Sequence, residues 1–381
     1  MAFRATQPEA LIVGGGIAGL AAAIGLARLG WRCTILERDP QHRRAGHGLL
    51  LPSSGHEAVQ QLGLGGLEAA SAPIRAFELC HRDGSLLERF PVPGSLSVLR
   101  RDLVALLREA LPALVRLEAG RALRLEARGA GTFAVVDEDQ KLWCADLIVA
   151  ADGVHSACRS GLFPEARLTP ERVTELVLSL ADPDLNRELA GRCRKFQDPA
   201  SGLALGLLPC RGERLVAYAQ FATARHPAPG RAGEVAAFLR ERFGGWNPLL
   251  ERLLADLSTA SSHLWHTTDL DPLPRLHCGN VVLVGDSAHP LLPFTSQGSA
   301  AALEDALCLA AALDGTDGRD AQELPIALQR YSQRRSRALQ PLVQQGRALR
   351  HRFLDPSSAA TAPVAPLAGF AASAGSVPGA R

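Results

Sequence analysis

Three glycine-containing turns, each following a short apolar run, hold the residues of this chain whose types and spacing could do chemistry. The first is Gly14-Gly15-Gly16-Ile17-Ala18-Gly19, a G-x-G-x-x-G placed after Glu9-Ala-Leu-Ile-Val13. Gly14 permits a tight turn, Gly16 lets a pyrophosphate approach the backbone, and Gly19 allows close helix packing. The start of the helix at Ile17 and Ala18 favours the anion. Glu37 closes the next apolar run, 18 residues after Gly19. A carboxylate there accepts the hydroxyls of an adenosine ribose and repels a 2′-phosphate. The pattern predicts an adenine dinucleotide and leaves NAD and FAD both open.

Two later turns narrow the choice. Asp152-Gly153 follows Asp146-Leu-Ile-Val-Ala-Ala151, and Gly285-Asp286 follows Asn280-Val-Val-Leu-Val284. An Asp at the carboxyl end of a strand can bond a sugar-alcohol hydroxyl such as those of a ribityl chain. Pro293 and Ser296-Gln297-Gly298-Ser299-Ala300 come next and lead into a helix. Backbone N–H groups opening a helix can stabilise negative charge on the pyrimidine edge of a reduced flavin.

These turns need strands and helices to position them. Apolar patterning predicts buried strands at Glu9–Val13, Arg32–Glu37, Asp146–Ala151 and Asn280–Val284, with a helix over Ile17–Leu29. A hairpin is expected at Ile74–His81 and Ser85–Phe90 around Arg82-Asp83-Gly84. Further strands are expected at Val173–Leu180, Leu203–Leu208 and Leu215–Phe221, and helices at Arg101–Leu111, Gly233–Arg242, Ala300–Leu313 and Leu324–His351. The division this implies is a discontinuous cofactor domain of residues 8–73, 100–165 and 277–345, a second domain of 74–99 and 166–276, and a disordered tail over 356–381.

Composition excludes several classes. The chain has 381 residues, 47% hydrophobic and 21% charged, which is ordinary for a globular protein. Its formal charge of +2 is too balanced for a nucleic-acid binder. The eight Cys show no C-x-x-C, so they are read as reduced residues of a cytoplasmic protein, with no metal site. No signal peptide or membrane span is expected.

With all three turns in this order, the chain resembles the single-component, class A flavin-dependent aromatic hydroxylases of the para-hydroxybenzoate hydroxylase fold, over about residues 8–345. The resemblance implies an α/β fold: a Rossmann-like FAD-binding domain with an inserted α+β substrate domain on a mostly antiparallel sheet. It implies FAD as cofactor and NADH or NADPH as a transient co-substrate. It implies hydroxylation of an aromatic or other electron-rich small molecule with O₂ through a flavin C4a-hydroperoxide. Glu37 and Arg38 would hold the adenosine half, and Arg100 would sit near the phosphates. Asp286, beside Gly285, would hold the ribityl chain or pyrophosphate. Asp152 and Gly153 would serve FAD and the approach of NAD(P)H, which Arg43 or Arg44 could meet. Pro293, Gln297, Gly298 and Ser299 would hold the reacting ring. The protein is expected to be a monomer or a homodimer.

Ala300 departs from the family's G-Q-G-x-N pattern and lacks the amide that helps fix the flavin end. The chain has no second G-x-G-x-x-G, and its Trp residues form no halogenase segment. Alternatives remain a halogenase, a dehydrogenase or oxidase, an enzyme modifying a partner protein, or a non-catalytic flavin-binding protein. Substrate residues are less legible. Tyr218 and Gln220 share one strand face, which lines a pocket or faces solvent, and His226, His263, Trp265 and His266 are nearby candidates. No catalytic base is assigned.

Overall fold

The computed structural model describes residues 7–41, 47–258 and 260–356. The apolar runs that end in the three glycine turns lie side by side in one sheet, ordered His277–Cys278, Val281–Leu283, Leu147–Ala150, Glu9–Val13, Arg32–Glu37 and Val115–Ala119. All pairings are parallel except that of the edge strand His277–Cys278. Strands covered on both faces need apolar side chains throughout, which is why these segments read as unbroken apolar runs and not as alternations. Ile12, Ile35, Ile148 and Val282 are fully buried. The helix Ile17–Arg28 packs on the helix Gly298–Leu313, where Gly25 approaches Ala306 and Ala310 closely.

A second sheet has eight strands, ordered Ser261–His266, Val173–Ala181, Arg214–Ala222, Leu203–Pro209, Arg192–Asp198, Ser71–His81, Leu86–Leu99 and Gly48–Leu51. It is antiparallel except where Arg192–Asp198 runs parallel to Ser71–His81. One face is sealed by the helices Val235–Phe243 and Pro248–Ala255 over a core that includes Leu205, Phe221, Leu239 and Leu250. A three-stranded sheet, Ala122–Gly129, Thr132–Asp137 and Leu142–Trp143, completes the α/β architecture. The helix Glu323–Leu354 runs across the molecule and passes through Pro341 without ending.

Several expectations are corrected. Gly48–Leu51, for which no strand was expected, is the edge of the large sheet and pairs antiparallel with Leu96–Leu99. The hairpin's second strand runs on past Phe90 to Leu99, and a register shift between Ile74 and Ala76 leaves Pro93 outside the paired positions. Arg192–Asp198 was not expected as a strand, since Arg-Cys-Arg-Lys-Phe-Gln-Asp has the composition of a surface loop. It sits inside the sheet because Glu78, whose side chain is fully buried, pairs with Arg89, Arg192 and Arg194. Ser261–His266 and the helix Pro248–Ala255 were likewise not expected. Residues 357–381 of the expected tail lie outside the described residues.

Gly19 sets how closely the first helix meets its strand. A Cβ there would lie 1.9 Å from the Gly14 carbonyl oxygen. Gly19→Ala is therefore expected to cost about 2–4 kcal/mol, as an overpacked core position does. A urea titration checks this, and an unchanged midpoint would contradict it.

Candidate active site

The carboxyl ends of the central parallel strands converge, the position at which open α/β sheets bind ligands. Gly14 turns there with φ +105°, and a Cβ on it would lie 2.3 Å from the Ala151 carbonyl oxygen. Only glycine lets the first and second motifs touch. Gly16 is different: a Cβ on it would meet only the Arg100 Nη2, at 3.7 Å, so its outer side is open. Ile17 is buried beneath the loop and Ala18 packs against Gly285, which has φ +58°. Glu37 Oε2 accepts from the Gly15 N–H at 2.6 Å, and Oε1 accepts from the Asp39 N–H at 2.8 Å. The carboxylate thus stands beside the glycine loop and keeps lone pairs for ribose hydroxyls. Arg38, next to it, is exposed.

The second and third motifs are stapled together by a residue that sequence reasoning missed. Arg159 is buried, and its guanidinium donates to the carbonyl oxygens of Val154, Asp286 and Ser287. Asp152 also braces the start of the next helix. Its carboxylate accepts from the Ser156 hydroxyl and the Cys158 N–H, capping the helix Ala157–Leu162. Gly153, with φ +83°, faces open space.

Asp286 opens to the cleft, yet protein crowds it on all other sides. That desolvation raises its carboxyl pKa, against the opposing pull of His289, Arg100 and Arg159. Behind it, Asp305 is fully buried and accepts three hydrogen bonds: from the Gly285 N–H at 2.7 Å, His289 Nε2 at 2.5 Å and Arg335 Nε at 2.5 Å. Burial alone would push the Asp305 carboxyl up. His289, Arg335 and the Gly285 N–H outweigh it and hold the carboxyl below its ordinary value. Arg335 also reaches Glu304 and the Ala301 carbonyl oxygen. His289 Nδ1 is buried with no hydrogen-bond partner.

The third loop ends in Pro293–Thr295, a single 3₁₀ turn, and Ser296 takes φ +54° before the helix Gly298–Leu313 begins. Gln297 is buried and gives that helix no side-chain cap. A Cβ on Gly298 would meet nothing within 4 Å, Ser299 is half-buried, and the Thr295 hydroxyl is buried without a partner. Open space in front of uncapped N–H donors is the form a planar ring with an electron-rich edge requires. Ala300 is turned away from this space. It is fully buried against Gly55, so only its backbone can contribute.

These features fit FAD along its whole length. Glu37 suits the ribose, Gly16 and Arg100 the phosphates, Asp286 the ribityl chain and the Gly298 turn the ring. Arg44 and Arg43 lie outside the described residues. Among the His candidates, His266 pairs with Glu171 at 2.8 Å and His226 with the Ser201 carbonyl oxygen at 2.8 Å, both tied into surface structure. His263 instead stacks on His47 at 5.9 Å, and desolvation together with His263 lowers the His47 pKa. Asp305 and His289 stand in the third motif's own segment, and only their burial distinguishes them. Among the described residues, no group of His, Cys, Asp and Glu is arranged to hold a metal, and no helix is long and apolar enough to cross a membrane.

A family model described as an FAD binding domain matches residues 7–346. The chain belongs to this family of FAD-dependent monooxygenases. Among its relatives is a 3-amino-4-hydroxybenzoate 2-monooxygenase of Streptomyces platensis, 30% identical over 91% of this chain and 89% of the relative. Another is an FAD-dependent urate hydroxylase of Klebsiella pneumoniae, 26% identical over 89% and 88% of the two chains. The crystal structure of Klebsiella pneumoniae HpxO with FAD and uric acid has the same fold, with a TM-score of 0.78, 24% identity and coverage of 93% and 91%. The monooxygenase is thus of the class A hydroxylase type, an oxidoreductase that binds FAD.

Two outcomes are expected from the geometry. Glu37→Ala removes a charged acceptor and should weaken FAD binding by about 1.5–3 kcal/mol in a fluorescence titration. Retention of stoichiometric FAD through purification would contradict the assignment. Asp305→Ala leaves the buried Arg335 with Glu304 as its one remaining carboxylate partner and should cost about 3–5 kcal/mol of stability. Because the folded Asp305 value is depressed, its contribution is complete above about pH 4 and is lost as the pH falls through that lower value. Thermal melts of the wild type and variant should converge on acidification, and a constant gap across that range would contradict this.

Proposed function

We propose that this monooxygenase hydroxylates a small aromatic or comparably electron-rich molecule, with NADH or NADPH as electron donor and O₂ as oxidant. The observation that supports this best is the gathering, at the carboxyl ends of the parallel strands, of groups that suit the successive parts of FAD: Glu37, Gly16, Arg100, Asp286 and the open turn at Gly298. The relatives that act on aminohydroxybenzoate and urate point to the same kind of substrate.

In this reading Gly14, Gly16, Ile17, Ala18 and Gly19 form the phosphate turn. Glu37 accepts the ribose hydroxyls, with Arg38 beside it, and Arg100 neutralises the phosphates. Asp286, with Gly285, receives the ribityl hydroxyls, while Asp152 and Gly153 shape the wall where the nicotinamide approaches. Pro293 and the backbone of Gln297, Gly298, Ser299 and Ala300 would hold the ring edge, and the N–H groups of those last four residues would donate to negative charge there. FAD, when bound, supplies the hydride acceptance and the oxygen activation. The protein binds, orients and keeps water away. We also propose the large sheet as the substrate domain and the parallel sheet as the cofactor domain.

Turnover in ¹⁸O₂ with a panel of phenols, aminophenols and hydroxybenzoates, comparing NADH with NADPH, tests this. One labelled oxygen per product is expected, and reduction should be faster with substrate bound. Halogenated product, unlabelled desaturated product, or peroxide alone for every compound would overturn it.

A further inference from the structure

The sheet face opposite the sealing helices carries an ordered polar field. Cross-strand registers place His263, Val177, Tyr218, Gly206 and Lys195 in one row. Trp265, Glu175, Gln220 and Ala204 form the row beside it. Residues opposite one another, or two apart, share a face, so these side chains all rise from the same side. Gly206 supplies no side chain, and a Cβ there would lie 2.0 Å from Tyr218 Cζ, so the Tyr218 ring lies over it.

Lys195 is the cation of this field. Its Nζ donates to Gln220 Oε1 at 2.6 Å, and Gln220 Nε2 donates to Glu175 Oε2 at 2.7 Å. Gln220 and Glu175 are buried, so the amide is held at both ends and aims the ammonium. The same Nζ lies 5.3 Å from the Phe294 ring centroid and 5.8 Å from that of Phe353. Phe294 follows Pro293 in the turn before Gly298, so the sheet's cation reaches the loop assigned to the flavin ring. An ammonium has three N–H donors. Gln220 takes one, the aromatic rings are weak partners, and two remain for a ligand between the sheet and the loop.

We infer that Lys195 is the specificity-determining residue of the substrate pocket, receiving the carboxylate of an aromatic acid whose ring lies towards Pro293 and Phe294. This rests on the hydroxylation reading above. Desolvation disfavours the cation and brings the Lys195 pKa down to about 8, while Glu175 raises it; an arriving carboxylate compensates the same burial. Lys141 is the only other lysine among 41 basic residues, the rest being Arg. At position 195 a compact point charge fits where a planar fork would need several acceptors.

The test uses the FAD-loaded enzyme, with calorimetric binding of 4-hydroxybenzoate and 3-amino-4-hydroxybenzoate against their neutral amides. The wild type is expected to bind each acid more tightly than its amide. Lys195→Met should weaken the acids by about 10- to 100-fold, the loss of one charged hydrogen bond, and leave the amides unchanged. Lys195→Arg should recover part of the loss. Glu175→Gln removes a competing anion and should leave acid binding equal or tighter, which a merely structural ion pair would not do. FAD content and melting temperature check that each variant is folded. Acids bound no better than amides, or acid and amide weakened alike by Lys195→Met, would overturn the assignment. If neutral phenols were then still hydroxylated with ¹⁸O, only the Lys195 inference would fall. Failure of every compound to be hydroxylated would instead overturn the reading on which it rests.

Discussion

A single buried carboxylate, Asp305, holds the cofactor side of the molecule together. It lies on the helix Gly298–Leu313 and accepts from Gly285, His289 and Arg335, so one side chain joins the third glycine turn, its own helix and the last helix. A fully buried Asp is costly unless its charge is matched and its lone pairs are used, and here both conditions are met. The last helix is tied to this edge of the parallel sheet at two further points. The Tyr331 hydroxyl donates to the Leu283 carbonyl oxygen, and Ser332 Oγ accepts from the Leu276 N–H. Arg159 completes the frame by bridging the second turn to the third.

This frame explains why the cleft can carry exposed charge without collapsing. Asp286 stands at the cleft surface because the backbone on both sides of it is pinned from behind. Its carboxylate faces Arg100 across the opening, and the glycine loop lies between them without side chains to fill the gap. Opposing charges held apart by a rigid backbone form a preorganised site for a ligand with phosphates at one end and hydroxyls along its length.

The large sheet solves a different problem. One face is apolar and sealed by helices, as an antiparallel sheet with a single solvated side requires. The other carries Tyr218, Gln220, Glu175 and Lys195. Hydrogen bonds from Lys195 to Gln220 and from Gln220 to Glu175 offset part of the cost of burying these groups. The sheet is thereby both a wall of the core and a polar surface turned towards the ring loop.

Much of this was written locally in the chain. The turn at Gly14–Gly19, the acidic residue at Glu37 and the aspartates after buried strands are short-range patterns, because phosphate and sugar recognition needs glycine and carboxylate at fixed offsets from a strand end. Unbroken apolar runs marked the parallel strands for the same reason: a strand buried on both faces admits few polar side chains. The tertiary structure decided what depends on distant partners. Arg192–Asp198 shows no strand pattern of its own and takes its place in the sheet where Glu78 pairs with Arg192 and Arg194. Asp152 gains its hold on Ser156 and Cys158 in the same way. Asp305, Arg159 and Lys195 carry no local signature, since a charged residue in a helix or strand is ordinarily on the surface. Only the folded chain, by burying each beside its partners, separates these three from the other charged side chains.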